Sequence, residues 1–403
     1  MERILILGAG QAGASLAARL RAQGHTGPVT LIGAETSAPY QRPPLSKAYL
    51  LGEMSQERLL LRAPGFWADQ DIGLLTGLRA TTIDRKAQTV SLSDGQYLPY
   101  DRLALTTGAR PRHLPKDAGG ALGGVYSVRS LADIDTLRSE ARPGRRALIL
   151  GGGYIGLEAA AVLRKLDLEV SLVEAAPRIL GRVASAETAD WFRALHLKHG
   201  VEIHEGTRLD HLVERNGRVS AARLEDGREI PCDLAVIGIG VDPDIELAAA
   251  AGLYVDNGIV VDGAGRSSDP KIFAAGDCAS FPWRRRRIRL ESVQNAIEQA
   301  EVVADAMLGK EVAYDPMPWF WSDQYDVKLQ IAGLNQGHDQ IVTRPGARPG
   351  TMSVWYFANG ALIAVDAMND PRAYMTGKRW LEAGQSPDPA RLADPEQDLK
   401  TAL

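Results

Sequence analysis

The 403-residue chain has only two cysteines, Cys232 and Cys278, far apart and in no CxxC or CxxxxC arrangement. Thiol–disulfide chemistry needs a paired or reactive cysteine, so a dithiol redox centre is excluded and Cys278 reads as a small buried thiol. No large excess of either charge is present: 50 acidic residues against 46 basic ones leave a net charge of −4, which gives no reason to expect nucleic acid as a partner. Long apolar runs are missing too. None approaches the roughly 20 residues that span a bilayer, and Ile4 to Leu7 has neither the length nor the basic flank of a signal peptide. A cytoplasmic protein with no membrane partner is therefore expected. Gly-x-Ser-x-Gly, the nucleophile elbow of serine hydrolases, is absent. Histidine is sparse, and the near cluster His196, His199 and His204 lacks a cysteine or carboxylate at a catalytic-metal spacing. These three read as surface residues, and no metal is expected.

Glycine, by contrast, is abundant and in places patterned. Gly8-Ala9-Gly10-Gln11-Ala12-Gly13 follows the apolar strand Ile4 to Leu7 and opens a helical stretch, Ala14 to Gln23. Gly151-Gly152-Gly153-Tyr154-Ile155-Gly156 follows the strand Ala147 to Leu150 and precedes the helix Leu157 to Leu166. A single GxGxxG is a weak signal, but here strand, turn and helix agree twice. Such glycines permit a tight turn and a close backbone approach to a pyrophosphate at a helix N-terminus. A carboxylate for ribose hydroxyls closes each unit, Glu35 after Val29 to Ile32 and Glu174 after Glu169 to Val173. Two dinucleotide sites in one chain imply a flavin reduced by a nicotinamide.

The first nucleotide unit runs to about Gly108, where Leu103 to Leu105 ends in Thr106-Thr107-Gly108-Ala109-Arg110-Pro111. The second ends with the strand Leu234 to Ile239 and Gly240-Val241-Asp242-Pro243. The short apolar strand Ile272 to Ala274 stops at Gly276-Asp277, which is where a ligand meets an α/β sheet, so this segment is assigned back to the first domain. The division expected is a discontinuous FAD domain over 1–108 and 243–315, an NADH domain over 109–242 and a C-terminal α+β domain over 316–403. In the last of these, strands are expected at Val327 to Ile331, Gln340 to Val342, Met352 to Phe357 and Leu362 to Val365, and a helix from Arg372 to Ala383. Pro387 to Leu403 reads as a polar surface tail.

Read together, Gly8 to Gly13, Arg42-Pro43-Pro44-Leu45-Ser46-Lys47, Thr107-Gly108, Gly151 to Glu158, Gly276-Asp277, Glu291-Ser292-Val293 and Phe320-Trp321-Ser322-Asp323-Gln324 resemble FAD-dependent NADH:ferredoxin reductases of the putidaredoxin reductase type. That resemblance covers essentially the whole chain. It implies an α/β fold of the glutathione reductase kind, with two Rossmann-like dinucleotide-binding domains plus the C-terminal domain. It also implies the cofactors FAD and NADH. Lys47, delivered by the extended Arg42-Pro43-Pro44 turn, would stand near flavin N5, paired with Glu158. Ala12, Glu35, Arg42, Ala80, Arg129, Asp277 and Val293 would touch FAD, several through backbone groups, and Trp319 and Trp321 would line the flavin and nicotinamide pocket. In the second unit Gly151, Gly153, Tyr154, Ile155, Gly156, Glu174 and Gly240 would hold NADH. Glu174 favours NADH over NADPH, because a carboxylate accepts from a 2′-hydroxyl and repels a 2′-phosphate.

Arg284-Arg285-Arg286-Arg287 with Arg289 is the one strong local charge run. On its own such a run is a solvated face. In an electron-transfer protein it is also a candidate landing patch for an acidic [2Fe-2S] ferredoxin that serves an oxygenase or a cytochrome P450. Two other readings stay open: an NADH-binding redox sensor resembling apoptosis-inducing factor, and a reductase of a small acceptor such as monodehydroascorbate.

Overall fold

A computed structural model of the protein describes residues 2–403. The chain divides into two compact units. The first contains the residues up to Gln41, Gln56–Arg110 and Asp242–Pro318; the second contains Arg42–Ser55, Pro111–Val241 and Trp319–Leu403. Residues 42–55 thus lie with the second unit although they follow the first nucleotide motif in sequence.

In the first unit five parallel strands run in the order Ile272–Ala274, Arg102–Leu105, Ile4–Leu7, Val29–Gly33, Ile72–Thr76. Ile4–Leu7 is central and buried at all four positions, because a parallel strand covered on both faces reads as a continuous apolar run. The strand Ile272–Ala274 pairs with Arg102–Leu105, so the chain returns to this sheet after completing the second nucleotide motif. Helices Gln11–Ala22 and Val293–Met307 share one core, in which Leu16, Ala17 and Leu20 join Ala300, Val303 and Ala304. The preponderance of alanine lets the two helices approach closely, and Arg19 bridges to Asp305 at 2.7 Å at their rim.

The second unit repeats the plan. Its parallel sheet runs Val201–Glu205, Glu169–Glu174, Arg146–Leu150, Leu234–Ile237, Val125–Ser127, with the strand that feeds the glycine turn again in the middle. A central strand flanked on both sides is the switch point at which ligands enter such sheets. The same unit holds an antiparallel sheet in the order Trp319–Gln324, Val327–Gly333, Ala361–Met368, Met352–Ala358, Gln340–Pro345. Helix Pro371–Ala383 lies on this sheet at Gly377, where a Cβ would stand 2.6 Å from Val365 Cγ1 and 2.9 Å from Trp355 Cζ3. Only glycine fits there.

One strand was not expected from the sequence and one expectation fails. Trp319–Gln324 is an edge strand whose three aromatic residues followed by three polar ones show no alternation. Residues 387–403 are not a surface tail: Leu392, Leu399 and Ala402 are buried, and the Arg344 guanidinium donates to the carbonyls of Leu392, Asp394, Pro395 and Gln397. One buried cation satisfies four backbone acceptors that an apolar scan cannot see. Among the described residues no helix is long and apolar enough to cross a membrane.

The antiparallel sheet carries a buried carboxyl with a measurable signature. Asp366 Oδ2 accepts from Tyr356 OH at 2.5 Å and Thr188 Oγ1 at 2.8 Å, while Oδ1 meets no donor. Burial outweighs those two donors and pushes the Asp366 carboxyl up to about 6. A carboxyl raised in the folded state holds its proton more tightly there than when unfolded. Its contribution to stability is therefore greatest below about pH 4 and is lost as pH rises through about 6. Asp366→Asn keeps an acceptor for Tyr356 and Thr188 and cannot ionise. The variant is expected to gain on the order of 1–2 kcal/mol over the native chain at pH 7 and nothing at pH 4. Denaturant unfolding at both pH values measures this, and an equal difference at the two would contradict it.

Candidate dinucleotide sites

The two glycine turns are built on the same plan. Gly8 and Gly151 have φ of 115° and 104°, in the region that favours glycine, and a Cβ on them would lie 2.1 Å from Thr106 O and 2.4 Å from Gly238 O. Gly13 and Gly156 face backbone as closely: a Cβ on either would stand 2.0 Å from the carbonyl oxygen of Gly8 or Gly151. The middle glycines differ. Around Gly10 and Gly153 nothing lies within 4 Å of the Cβ position, so the turn presents bare backbone to open space.

Each turn ends at the N-cap of a 12-residue helix, Gln11–Ala22 or Tyr154–Lys165, and neither helix has a side-chain cap or an acidic residue in its first turn. Every other helix of ten or more described residues is capped by a side chain: Ser130, Ser185, Ser292 and Asp370 accept from amides of the helices that follow them. The two uncapped N-termini carry unsatisfied N–H groups and the positive end of the helix dipole, the arrangement that binds a pyrophosphate. The residues present therefore fit a dinucleotide at each turn, as FAD and NADH together require.

The carboxylates stand where each second strand ends. Glu35, two residues beyond Val29–Gly33, accepts from Tyr40 OH at 2.5 Å. Glu174 closes Glu169–Glu174; its Oε2 accepts from Gly152 N at 2.6 Å and its Oε1 from Ala176 N at 2.7 Å, which locks the carboxylate onto the glycine turn. Asp277 follows Gly276, whose Cβ position is 3.0 Å from Ala12 Cβ, so it belongs to the same end of the first sheet as the first turn. Val293 begins the helix that shares a core with Gln11–Ala22, and Ala80 begins the strand Ala80–Asp84. Gly240, with φ 107°, has the guanidiniums of Arg182 and Arg112 within 3.4 Å and 3.9 Å of its Cβ position. No sequence pattern marked these two arginines. Of the fingerprint's side chains, Ile155 is 47% exposed and Tyr154 is half-buried, its hydroxyl enclosed without a hydrogen-bond partner.

Lys47 and Glu158 meet in the second unit. Lys47 Nζ donates to Glu158 Oε2 at 2.6 Å, and the carboxylate side chain is 3% exposed. Such a pair resists separation, since removing one partner of a buried ion pair costs about 3–5 kcal/mol. Ser46 Oγ donates to the same oxygen at 2.6 Å and Ser322 Oγ to Oε1 at 2.8 Å, two partners the sequence did not nominate. Arg42 Nη1 donates to Arg129 O at 2.6 Å, which brings these two residues together. Trp319 and Trp321, two residues apart on their strand and both half-buried, share one face with ring centroids 5.6 Å apart, and Lys378 Nζ lies 5.4 Å from the Trp319 ring centroid.

The arginine run forms a hairpin, Ala279–Trp283 with Arg286–Ile288, turned at Arg284 and Arg285. Its cations are not equivalent. Arg287 Nη1 donates to Val261 O and Ser280 O, and Arg289 Nη1 donates to Asp277 O and pairs with Glu291 at 2.7 Å. Arg284 and Arg286 lie over the Trp283 ring, 4.5 Å and 5.5 Å from its centroid. Both cysteines are buried thiols. Burial pushes Cys232 up to about 12 and raises Cys278 as well, whose Sγ faces Leu105 O and Ala275 O. The surface reading of the histidines is wrong for His196, which is fully buried.

The chain matches the family described as pyridine nucleotide-disulphide oxidoreductase over residues 2–300, and a reductase C-terminal family over residues 319–403. It is 42% identical over 404 residues to a ferredoxin–NAD(P)(+) reductase of a Sphingomonas species, covering 99% of this chain and 97% of the relative. It is 41% identical over 409 residues to putidaredoxin reductase of Pseudomonas putida, covering 100% and 97%. Among solved structures, the putidaredoxin reductase in its covalent complex with putidaredoxin superposes with a TM-score of 0.95 at 41% identity, covering 99% of this chain and 97% of that one. The ferredoxin reductase of the CYP199A2 system from Rhodopseudomonas palustris superposes with a TM-score of 0.96, again at 41% identity, covering the whole of both chains.

Proposed function

The chain belongs to the pyridine nucleotide-disulphide oxidoreductase family, and we propose that it is an FAD-dependent NADH:ferredoxin oxidoreductase that delivers electrons to a [2Fe-2S] ferredoxin serving an oxygenase or a cytochrome P450. The observation that carries this reading is the pair of uncapped, glycine-led helices in a chain whose full-length relatives are named as ferredoxin reductases. The same names favour a ferredoxin over a small acceptor and over a sensor role. When bound, FAD accepts a hydride from NADH and gives up electrons singly.

The chain's own groups bind and orient. At Gly8 to Gly13 the bare backbone and helix N-terminus take the FAD pyrophosphate, and Glu35 and Asp277 offer acceptors to its hydroxyls; Ala12, Ala80 and Val293 serve through backbone and packing. Arg42, Arg129, Trp319 and Trp321 are assigned to FAD by the resemblance, and the Lys47–Glu158 pair to its reactive edge, where an ammonium favours negative charge on the reduced ring. Gly151 to Gly156, Glu174 and Gly240 take NADH. No side chain is needed as an acid or base in hydride transfer; position and electrostatics do the work. The FAD domain is assigned to 1–108 and 243–315, the NADH domain to 109–242 and the C-terminal domain to 316–403, in a protein placed in the cytoplasm beside its NADH supply.

Purification tests this directly. FAD is expected to copurify noncovalently at about one per chain, to be bleached by NADH, and to be reoxidised rapidly by a ferredoxin from the same organism. A folded, colourless protein sinks the reading, as does a flavoprotein that reduces small dyes but no ferredoxin.

A further inference from the structure

Glu158 is the last acceptor of a buried hydrogen-bonded chain that begins at a strained turn. Tyr325, at the turn between Trp319–Gln324 and Val327–Gly333, has φ of 56°, a left-handed conformation that a bulky residue adopts only when its surroundings hold it. Two imidazoles hold it: His199 stacks on the ring at 3.7 Å with planes 7° apart, and His196 meets it edge-on with centroids 5.1 Å apart. The Tyr325 hydroxyl lies 3.4 Å from His196 Nδ1. His196 Nε2 lies 2.8 Å from Gln324 Oε1, Gln324 Nε2 donates to Ser322 Oγ at 3.1 Å, and Ser322 Oγ donates to Glu158 Oε1 at 2.8 Å.

The direction of every link follows from chemistry. Gln324 Oε1 can only accept, so His196 carries its proton on Nε2. Burial lowers the His196 imidazole to about 4, which leaves it neutral at physiological pH. Its Nδ1 lone pair must then accept from Tyr325. Gln324 fills one lone-pair direction of Ser322 Oγ, so the hydroxyl hydrogen points the other way, at Glu158. Four donors in series face one carboxylate, and Ser322, Gln324 and His196 are each fully buried. An amide in the middle makes this a poor proton conductor. It is suited to fixing an orientation.

We propose that Ser322, Gln324 and His196 are positioning residues that hold the Glu158 carboxylate, and through it the Lys47 ammonium, in a single orientation. Ser46 and Lys47 both occupy Oε2; with Oε1 tied by Ser322 the carboxylate cannot rotate. Lacking that tie, Oε1 is a buried acceptor without a donor, and turning to find one pulls Oε2 away from Lys47. The consequence for catalysis rests on the assignment of Lys47 to the flavin; the orientation itself does not.

The test uses two readouts on the FAD-bound protein. Trace acetylation by acetic anhydride, quantified by mass spectrometry against the exposed Lys116, reports how firmly the Lys47 amine is held. Ser322→Ala and Gln324→Leu are expected to acetylate at Lys47 about threefold or more faster than the native chain, and Ser322→Thr, which keeps the hydroxyl, at the native rate. Anaerobic redox titration should show the equilibrium for flavin reduction changed by up to about tenfold, or about 30 mV for a two-electron couple. Unchanged Lys47 acetylation in Ser322→Ala, the smallest alteration, overturns the proposal even if Gln324→Leu does not fold. Faster acetylation with an unaltered potential upholds the positioning role and removes Lys47 from the flavin instead.

Discussion

Replacing Glu174 by arginine is expected to reduce the ratio of kcat/KM for NADH over NADPH by about 100-fold, equivalent to about 2.7 kcal/mol. Two effects add. The substitution removes a carboxylate that would repel a 2′-phosphate and supplies a guanidinium that can pair with one. The hydrogen bonds already on Glu174 make the experiment more discriminating than the sequence alone suggests. Gly152 N and Ala176 N both donate to this carboxylate, and arginine cannot accept from either. Affinity for both nucleotides should therefore fall as the turn loosens, while the ratio moves toward NADPH. Glu174→Gln separates the contributions, since it keeps an acceptor oxygen for the turn but loses the charge. Its ratio should lie between those of the native and arginine proteins. If kcat/KM falls equally for both nucleotides in both variants, Glu174 only braces the turn and the choice of nucleotide is made elsewhere.

The glycine turns were legible because their constraint is local. A tight turn, a bare middle glycine and a flanking strand and helix all lie within a dozen residues, and the chain states them twice. Lys47 and Glu158 were legible only through resemblance, since they are far apart in sequence and meet by folding. Their supports Ser46, Ser322 and Gln324 were not nominated as site residues at all. Strand alternation puts Ser322 and Gln324 on one face of Trp319–Gln324, which was the available signal, but it required recognising that segment as a strand. His196 fails for a related reason. It lies on the buried face of helix Ala186–Lys198, polar by composition yet satisfied by Gln324 on one ring nitrogen and Tyr325 on the other. The terminal segment was misread because Arg344, which holds it, donates to main-chain carbonyls, and no side-chain pattern records those. Pairwise chemistry across long sequence separation is what composition and period leave out.

The arginine hairpin invites the other large effect, because its turn is made of the wrong residues for stability. Arg284 and Arg285 have φ of 48° and 58°, the pattern of a two-residue turn that favours Asn-Gly. Two arginines in left-handed conformation cost about 1–2 kcal/mol relative to that pair. Strain retained at an exposed site motivates a functional role, and here the side chains so presented are cations. Charge that steers an acidic ferredoxin acts before contact and is screened over roughly 8 Å at physiological salt. Changing Arg284 to Asn together with Arg285 to Gly is therefore expected to raise stability by about 1 kcal/mol and to lower kcat/KM for ferredoxin at low salt by about tenfold. Changing both to Glu should lower it further, by about 100-fold, with the deficit shrinking as salt rises. Flavin reduction by NADH and turnover of a neutral dye should be unaffected in each. Arg287 and Arg289 supply the contrast, since their guanidiniums are committed to backbone carbonyls and, for Arg289, to Glu291. Substituting either should show as lost stability before it shows as lost docking. A double Glu variant that reduces ferredoxin at the native rate across low and high salt would leave the hairpin as a strained, solvated turn and move the docking surface elsewhere.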